Sequence, residues 1–525
     1  MVTSRSPQGA FSLATGYPPN SSTARSRGGR ASYKLPAKTA IICHMVAPRQ
    51  IAFNTFLYIS ALALQKVFSF VYFTILARYL GPADTGRYFY AVSLTFIITV
   101  FIDLGLANVL TREVAKFKEQ GSRLLSQVAT IKLLTSILII VIAKLLLPYL
   151  TPDPLTQILF IVALAAMFMD GFTAIFYAAI RGFQTLKYES LATIIHQALV
   201  LISGLIMIKL GAPLRLVIFA LVVGSIFNFI YSWAIVRLKL RLKLDFLFSK
   251  ALIKSIALMT WPFALAAIFV RIYAYLDSIL LGLLKGSEAV GYYAIAYKIT
   301  FAFQFLPLAF VAALYPAFAY YWQHNKDLLY VTFSKSLQFL LIIAAPISAG
   351  LITLAPLIIP SLYTTAFAPA IQPLQILLST LPLLFLNYPI GALLNACNRQ
   401  GWQTTILGLG MVLNAVANLI LIPLYGPLGA ALASALGTTA IFIISISIAS
   451  KVSAWDKRLL LTTVWKTALA IAALVLTLRF LSGYLSWYLT IVPGALAYLA
   501  VLLLSGLVKK EDWHSFRNSL SKRNT

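Results

Sequence analysis

The chain has 525 residues, of which 60% are apolar and 11% charged, whereas a soluble domain carries roughly 25% charged residues. With a mean hydropathy of +0.88, it lacks the charged shell that a soluble globular protein of this length needs. The 42 Lys+Arg against 14 Asp+Glu leave +28, which in a soluble chain would point to nucleic acid. Here the basic residues fall in short segments between apolar runs, and no DNA- or RNA-reading motif is present, so nucleic acid is excluded as a partner.

Residues 1–48 are rich in Ser, Arg, Gly and Pro, and no Asp or Glu precedes Asp84. This is the composition of an organellar leader, of a disordered tail, or of a reading frame extended upstream of Met45. Beyond it, apolar runs close to the ~20 residues that cross a bilayer recur to Val508. They predict fourteen helical spans: 54–78, 88–110, 126–148, 155–180, 188–209, 213–236, 256–283, 289–315, 336–360, 370–396, 402–423, 428–450, 463–483 and 486–508. Turn chemistry punctuates them at Gly81-Pro82, Pro152-Asp153-Pro154, Gly211-Ala212-Pro213 and Gly426-Pro427.

Alternate connectors are basic: Arg112 to Arg123, Arg181 with Lys187, Arg237 to Lys254, Lys326 with Lys335, Arg399, and Lys451 to Arg458. Among the intervening ones, 149–154 carries only Asp153, and 361–369 and 424–427 carry no charge. An even number of spans with basic segments at both ends places both termini in the cytoplasm.

Weak internal similarity suggests duplication. Gly86-Arg87-Tyr88-Phe89-Tyr90-Ala91 and Gly291-Tyr292-Tyr293-Ala294 open spans two and eight, and Gly211-Ala212-Pro213 has a counterpart in Gly426-Pro427. Internal repeats are common in transporters. The expected division is a six-span N-terminal lobe (49–236), a basic linker (237–254), a six-span C-terminal lobe (255–450), two further spans (451–508) and a basic tail (509–525).

A charge in the bilayer interior costs roughly 2.5–3.5 kcal/mol on insertion scales, so charged residues within the spans face a cavity or a partner helix. Lys66 lies midway along span one beside Gln65, Asp103 in span two, Asp170 in span four, Arg271 and Asp277 in span seven, and Lys298 in span eight. Asp103 and Asp170 have the plainer reading of lysine partners on neighbouring helices, and Lys298 that of a side chain reaching outward. Arg271 and Asp277 are six residues apart, hence on different helix faces, so at least one faces a lumen or another helix. Prolines at 262, 307, 346, 356, 382 and 389 free backbone carbonyls that neighbours must satisfy.

Enzyme motifs for nucleotide, metalloprotease or serine chemistry are missing, and no cofactor is implied. The two cysteines and four histidines are scattered, which argues against a metal site.

Two stretches carry a family resemblance. One runs from Leu76-Ala77-Arg78-Tyr79-Leu80-Gly81-Pro82 to Tyr88, then Asp103-Leu104-Gly105-Leu106 and Thr111-Arg112-Glu113. The other runs from Asn398-Arg399-Gln400 through Asn414 and Asn418 to Pro423, Tyr425-Gly426 and Gly429-Ala430-Ala431. Both resemble the polysaccharide-export, or oligosaccharide flippase, branch of the MOP exporter superfamily, over about residues 50–450. The resemblance implies an all-α membrane fold, with two six-helix lobes in a V plus C-terminal helices. It also implies alternating access that carries an undecaprenyl-pyrophosphate-linked oligosaccharide to the outer leaflet of a bacterial plasma membrane. Lys66, Arg271 and Lys298 are then the expected lumenal cations for the pyrophosphate, with Asp103, Asp170 or Asp277 as ion-coupling or pairing groups. Asp277 matches an acidic position common in the branch, while Tyr275 stands where an arginine is often found. Expected partners are membrane lipids, the lipid-linked substrate and a polysaccharide polymerase complex, with the protein itself a monomer. A lipid II-type flippase, a cation-coupled drug exporter and a non-transporting scaffold are the alternatives.

Overall fold

The computed structural model describes residues 48–245 and 250–507; the expected leader or tail before them and the basic tail at 509–525 lie outside the described residues. All regular structure among the described residues is helical. The first helix, Pro48–Asp103, is interrupted at Gly81 (φ 75°, ψ 179°), a conformation open to glycine and costly to other residues. The chain reverses there. Phe73 and Phe89, eight residues to either side, have ring centroids 6.1 Å apart, where an unbroken helix would hold them ~24 Å apart. Spans one and two are therefore a hairpin, and among the described residues thirteen continuous apolar stretches make fourteen crossings.

The remaining spans follow in the expected order. They are Gly121–Leu150, Pro154–Gly182, Lys187–Lys209, Leu214–Lys239, Lys250–Lys285, Ser287–His324, Lys326–Tyr363, Thr365–Ala396, Gln400–Tyr425, Pro427–Val452, Lys457–Ser482 and Trp487–Leu504. Several run past the apolar run at the basic end. Lys250, assigned to the linker by sequence, is helical, as are Lys326 and Lys335. A helix satisfies its own backbone, so it can continue past the apolar run into the interface. Leu145 (67% exposed), Leu476 (68%) and Trp465 (68%) face outward, the inverse of a soluble surface and the expected dress of a lipid-facing one.

The repeat noticed in sequence has a backbone counterpart. Gly286 repeats the conformation of Gly81 (φ 82°, ψ 178°), 205 residues later. Gln184 (φ 62°) corresponds to Asn398 (φ 59°), and Gly211 (φ 67°) to Gly426 (φ 57°). Span two breaks at Leu104-Gly105 and span eight at Phe303-Gln304.

One large apolar core runs through both repeats beside the Gly81 and Gly286 turns, joining Leu76, Phe89, Leu159 and Val217 to Tyr293, Ile359 and Phe385. Towards the opposite end the cores are separate. One gathers Leu110, Leu125, Ile180 and Val236; another gathers Phe318, Phe333, Leu393 and Ile406. Among the described residues the repeats thus share one apolar core beside these turns, while each of the two further clusters stays within a single repeat.

Prolines shape the second repeat. A proline frees the carbonyl four residues before it, and three such carbonyls are taken by other helices. Tyr498 donates to the Ile342 carbonyl (2.8 Å) below Pro346. Gln375 donates to that of Ile352 (3.1 Å) below Pro356. Ser348 donates to that of Leu378 (2.7 Å) below Pro382. Spans thirteen and fourteen pack on span nine through Leu354, Ile358, Leu474, Leu478 and Tyr498.

Candidate functional site

Helical spacing decides which polar groups meet. In span seven Ala267, Arg271 and Tyr275 recur every four residues and form one stripe. That stripe, with Lys66 and Ser69 of span one, Phe89 and Phe96 of span two and Lys298 of span eight, encloses a cavity of about 540 Å³. An adjoining compartment of about 560 Å³ shares Lys66, Arg271 and Lys298 and adds Asn108 and Gln304 from beside the breaks in spans two and eight. Five of the six charged residues singled out by sequence, Lys66, Asp103, Asp170, Arg271 and Lys298, line the first cavity together.

Aromatic faces attend two of the three central cations. The Arg271 guanidinium sits 5.2 Å from the centroid of Phe96, which is itself stacked on Tyr275 at 4.8 Å. Lys298 Nζ lies 5.2 Å from the Phe73 ring and 5.6 Å from Phe89. Such contacts are worth about 0.5–2 kcal/mol each. Among the described residues none of Lys66, Arg271 and Lys298 has a carboxylate within salt-bridge distance. They remain available to an anion.

The carboxylates behave differently from one another. Asp103, at the break in span two, accepts from Lys132 Nζ at 2.6 Å. Lys132 of span three is fully buried, and a β-carbon on Gly171 would lie 3.1 Å from its Cε, so span four is glycine where that chain passes. Sequence reasoning missed Lys132; the available signal was a single lysine deep in an apolar run.

Asp170 faces the cavity, and its Oδ1 has no hydrogen-bond partner among the described residues. Asp277 is 1% exposed and does not line the cavity. It accepts from Tyr293 Oη (2.6 Å), Asn418 Nδ2 (2.6 Å) and Ser434 Oγ (2.5 Å) within the second repeat. The six-residue offset from Arg271 therefore sends the two side chains to different surroundings.

The family model described as "Polysaccharide biosynthesis protein" matches residues 51–322, and the MatE model matches residues 262–420. An uncharacterized membrane protein of Methanocaldococcus jannaschii is 25% identical over 396 residues, covering 70% of this chain and 78% of that protein. A probable low-salt glycan biosynthesis flippase of Haloferax volcanii, Agl15, is 23% identical over 373 residues, covering 70% and 76%. Among solved structures, lipid II flippase MurJ in an inward closed conformation shares the fold, with a TM-score of 0.72 and 16% identity over 86% of this chain and 99% of that one. With more than half of its length matched by one family model, the chain belongs to the polysaccharide biosynthesis protein family of multi-pass membrane transporters, within the MOP superfamily.

Proposed function

We propose that this protein flips a polyprenyl-pyrophosphate-linked oligosaccharide, with undecaprenyl as the expected carrier, from the cytoplasmic to the outer leaflet by alternating access. The observation that carries this reading is the group of Lys66, Arg271 and Lys298 in one intramembrane cavity without a carboxylate partner among the described residues. Cations are costly within a membrane, and a bound pyrophosphate would supply the missing counter-charge. The glycan would ride in the polar cavity while the prenyl chain stays in lipid.

On the positive-inside reading, the ends of the repeats away from the Gly81 and Gly286 turns face the cytoplasm, where a lipid-linked precursor would enter. Moving about two negative charges outward across an inside-negative potential releases roughly 4–5 kcal/mol per 100 mV, enough to favour export without another energy source. Asp103 is occupied by Lys132, which leaves Asp170 and Asp277 as the candidates for a coupling proton or sodium ion. The name of the Haloferax volcanii relative, a glycan biosynthesis flippase, supports the same reading.

A cation-coupled drug exporter is the second reading, favoured by the MatE match. Three cations in the cavity wall would repel the cationic drugs such a protein expels.

The test is flipping in proteoliposomes of a fluorescent undecaprenyl-pyrophosphate glycan, with outer-leaflet arrival read by an impermeant lectin. Lys66→Ala combined with Arg271→Ala should lower the rate at least tenfold. An unchanged rate would reject the cationic cavity as the substrate site.

A further inference from the structure

A third compartment, of about 260 Å³, opens from the main cavity within the first repeat, sharing Gln65, Asp170, Ala174 and His196 with it. Its composition differs from the cationic compartments. Span four contributes residues 170, 173, 177 and 181, and span five contributes 189, 193 and 196, so each helix offers one polar stripe. Arg181 is neutralised by Glu189 at 3.2 Å, and Tyr177 donates to Asn228. What remains is a set of acceptors and donors at different heights. Among the described residues, Asp170 Oδ1 and Glu189 Oε2 have no partner, and Glu189 is 6% exposed. Gln65, Thr193, His196 and Asn228 complete the wall.

Gln65 and Lys66 are adjacent in sequence, hence about 100° apart around span one. Gln65 lines the polar chamber and the main cavity, whereas Lys66 lines the two cationic compartments and not the chamber. The helix therefore marks the border between two chemistries. With Glu189 balanced by Arg181, the charge of Asp170 would repel a phosphate from the chamber, and an apolar ligand would leave its polar walls unsatisfied. Sugar hydroxyls, each both donor and acceptor, suit such walls. The volume would hold roughly nine waters at ~30 Å³ each, about the bulk of one sugar ring.

We infer that this chamber is the glycan subsite of the flippase, holding the sugar next to the pyrophosphate while Lys66, Arg271 and Lys298 hold the phosphates; the inference rests on the function proposed above. Asp170 then binds sugar hydroxyls, which leaves Asp277 as the remaining candidate for a coupling ion, and the chamber discriminates between glycans.

The test measures binding to the full-length purified protein. The probes are undecaprenyl pyrophosphate alone and the same lipid carrying glucose, galactose or N-acetylglucosamine. At least one sugar should tighten binding tenfold or more over the bare lipid. Thr173→Val and Thr193→Val, both in the chamber and outside the cationic compartments, should each bring that ratio towards one while leaving bare-lipid affinity within twofold. Either variant suffices if the other elutes aggregated. Lys66→Ala should weaken every probe alike.

The subsite is rejected if no sugar improves on the bare lipid, or if both chamber variants weaken all probes equally. It is also rejected if they change only sodium or pH dependence, which would make the chamber an ion site. The flippase reading fails by a different sign, namely binding of every probe that ignores both Lys66→Ala and Arg271→Ala.

Discussion

Gly86 packs backbone to backbone on Gly291, and the contact is reciprocal. A β-carbon on Gly86 would overlap the Ser287 carbonyl and lie 2.8 Å from the Gly291 nitrogen. One on Gly291 would overlap the Pro82 carbonyl and lie 3.3 Å from the Gly86 nitrogen. The same 205-residue offset relates Gly86 to Gly291 and Pro82 to Ser287, so the two repeats meet through equivalent positions next to the turns at Gly81 and Gly286.

Because the obstructing atoms are backbone, no side-chain rotation can relieve them. Gly86→Ala and Gly291→Ala should each destabilise the protein by about 1–3 kcal/mol, the usual cost of overpacking. Gly401 has nothing within 4 Å of its β-carbon position and lies in a helix. Gly401→Ala should be neutral or gain about 0.5–1 kcal/mol. Monodispersity after heating, followed by size-exclusion chromatography, ranks the three variants; equal survival of all three would rule out the close contact.

The Asp103–Lys132 pair should respond asymmetrically. Lys132 is fully buried, whereas the Asp103 side chain is 39% exposed to the cavity. Asp103→Leu leaves a charge enclosed among helices and should cost about 3–5 kcal/mol. Lys132→Met leaves a carboxylate that cavity water can reach and should cost less. The double variant should recover most of the loss. Thermal unfolding of the four proteins completes a double-mutant cycle, and purely additive effects would show that the pair is not coupled.

Tyr498→Phe should cost about 0.6–1.7 kcal/mol, the range of interhelical hydrogen bonds in membranes. In a Pro346→Ala background the Ile342 carbonyl regains a helical N–H partner, and the same substitution should then cost less. A Tyr498→Phe effect of equal size in both backgrounds would mean that its hydroxyl acts elsewhere.

The spans were legible in sequence because a bilayer demands long apolar runs and taxes every interruption. Lys66, Arg271 and Lys298 stood out for that reason, and the Arg271–Asp277 spacing already separated their faces. Lys132 escaped because its run reads as one ordinary apolar helix; that Asp103 lies opposite it depends on how spans two and three pack. Arg181 and Glu189 lie near span ends, where charge is normal, so their place in a polar chamber depends on spans one, four, five and six converging. Gly86 and Gly291 were visible as equivalents, but nothing in a repeat says that its copies touch.

The carbonyl freed by Pro346 has a consequence for how this protein moves. In a regular helix that carbonyl would already accept from the N–H four residues on, so Pro346 leaves it freer to hold span fourteen. Spans thirteen and fourteen are therefore tethered to span nine, and under the alternating access proposed above the C-terminal pair should travel with it as one body.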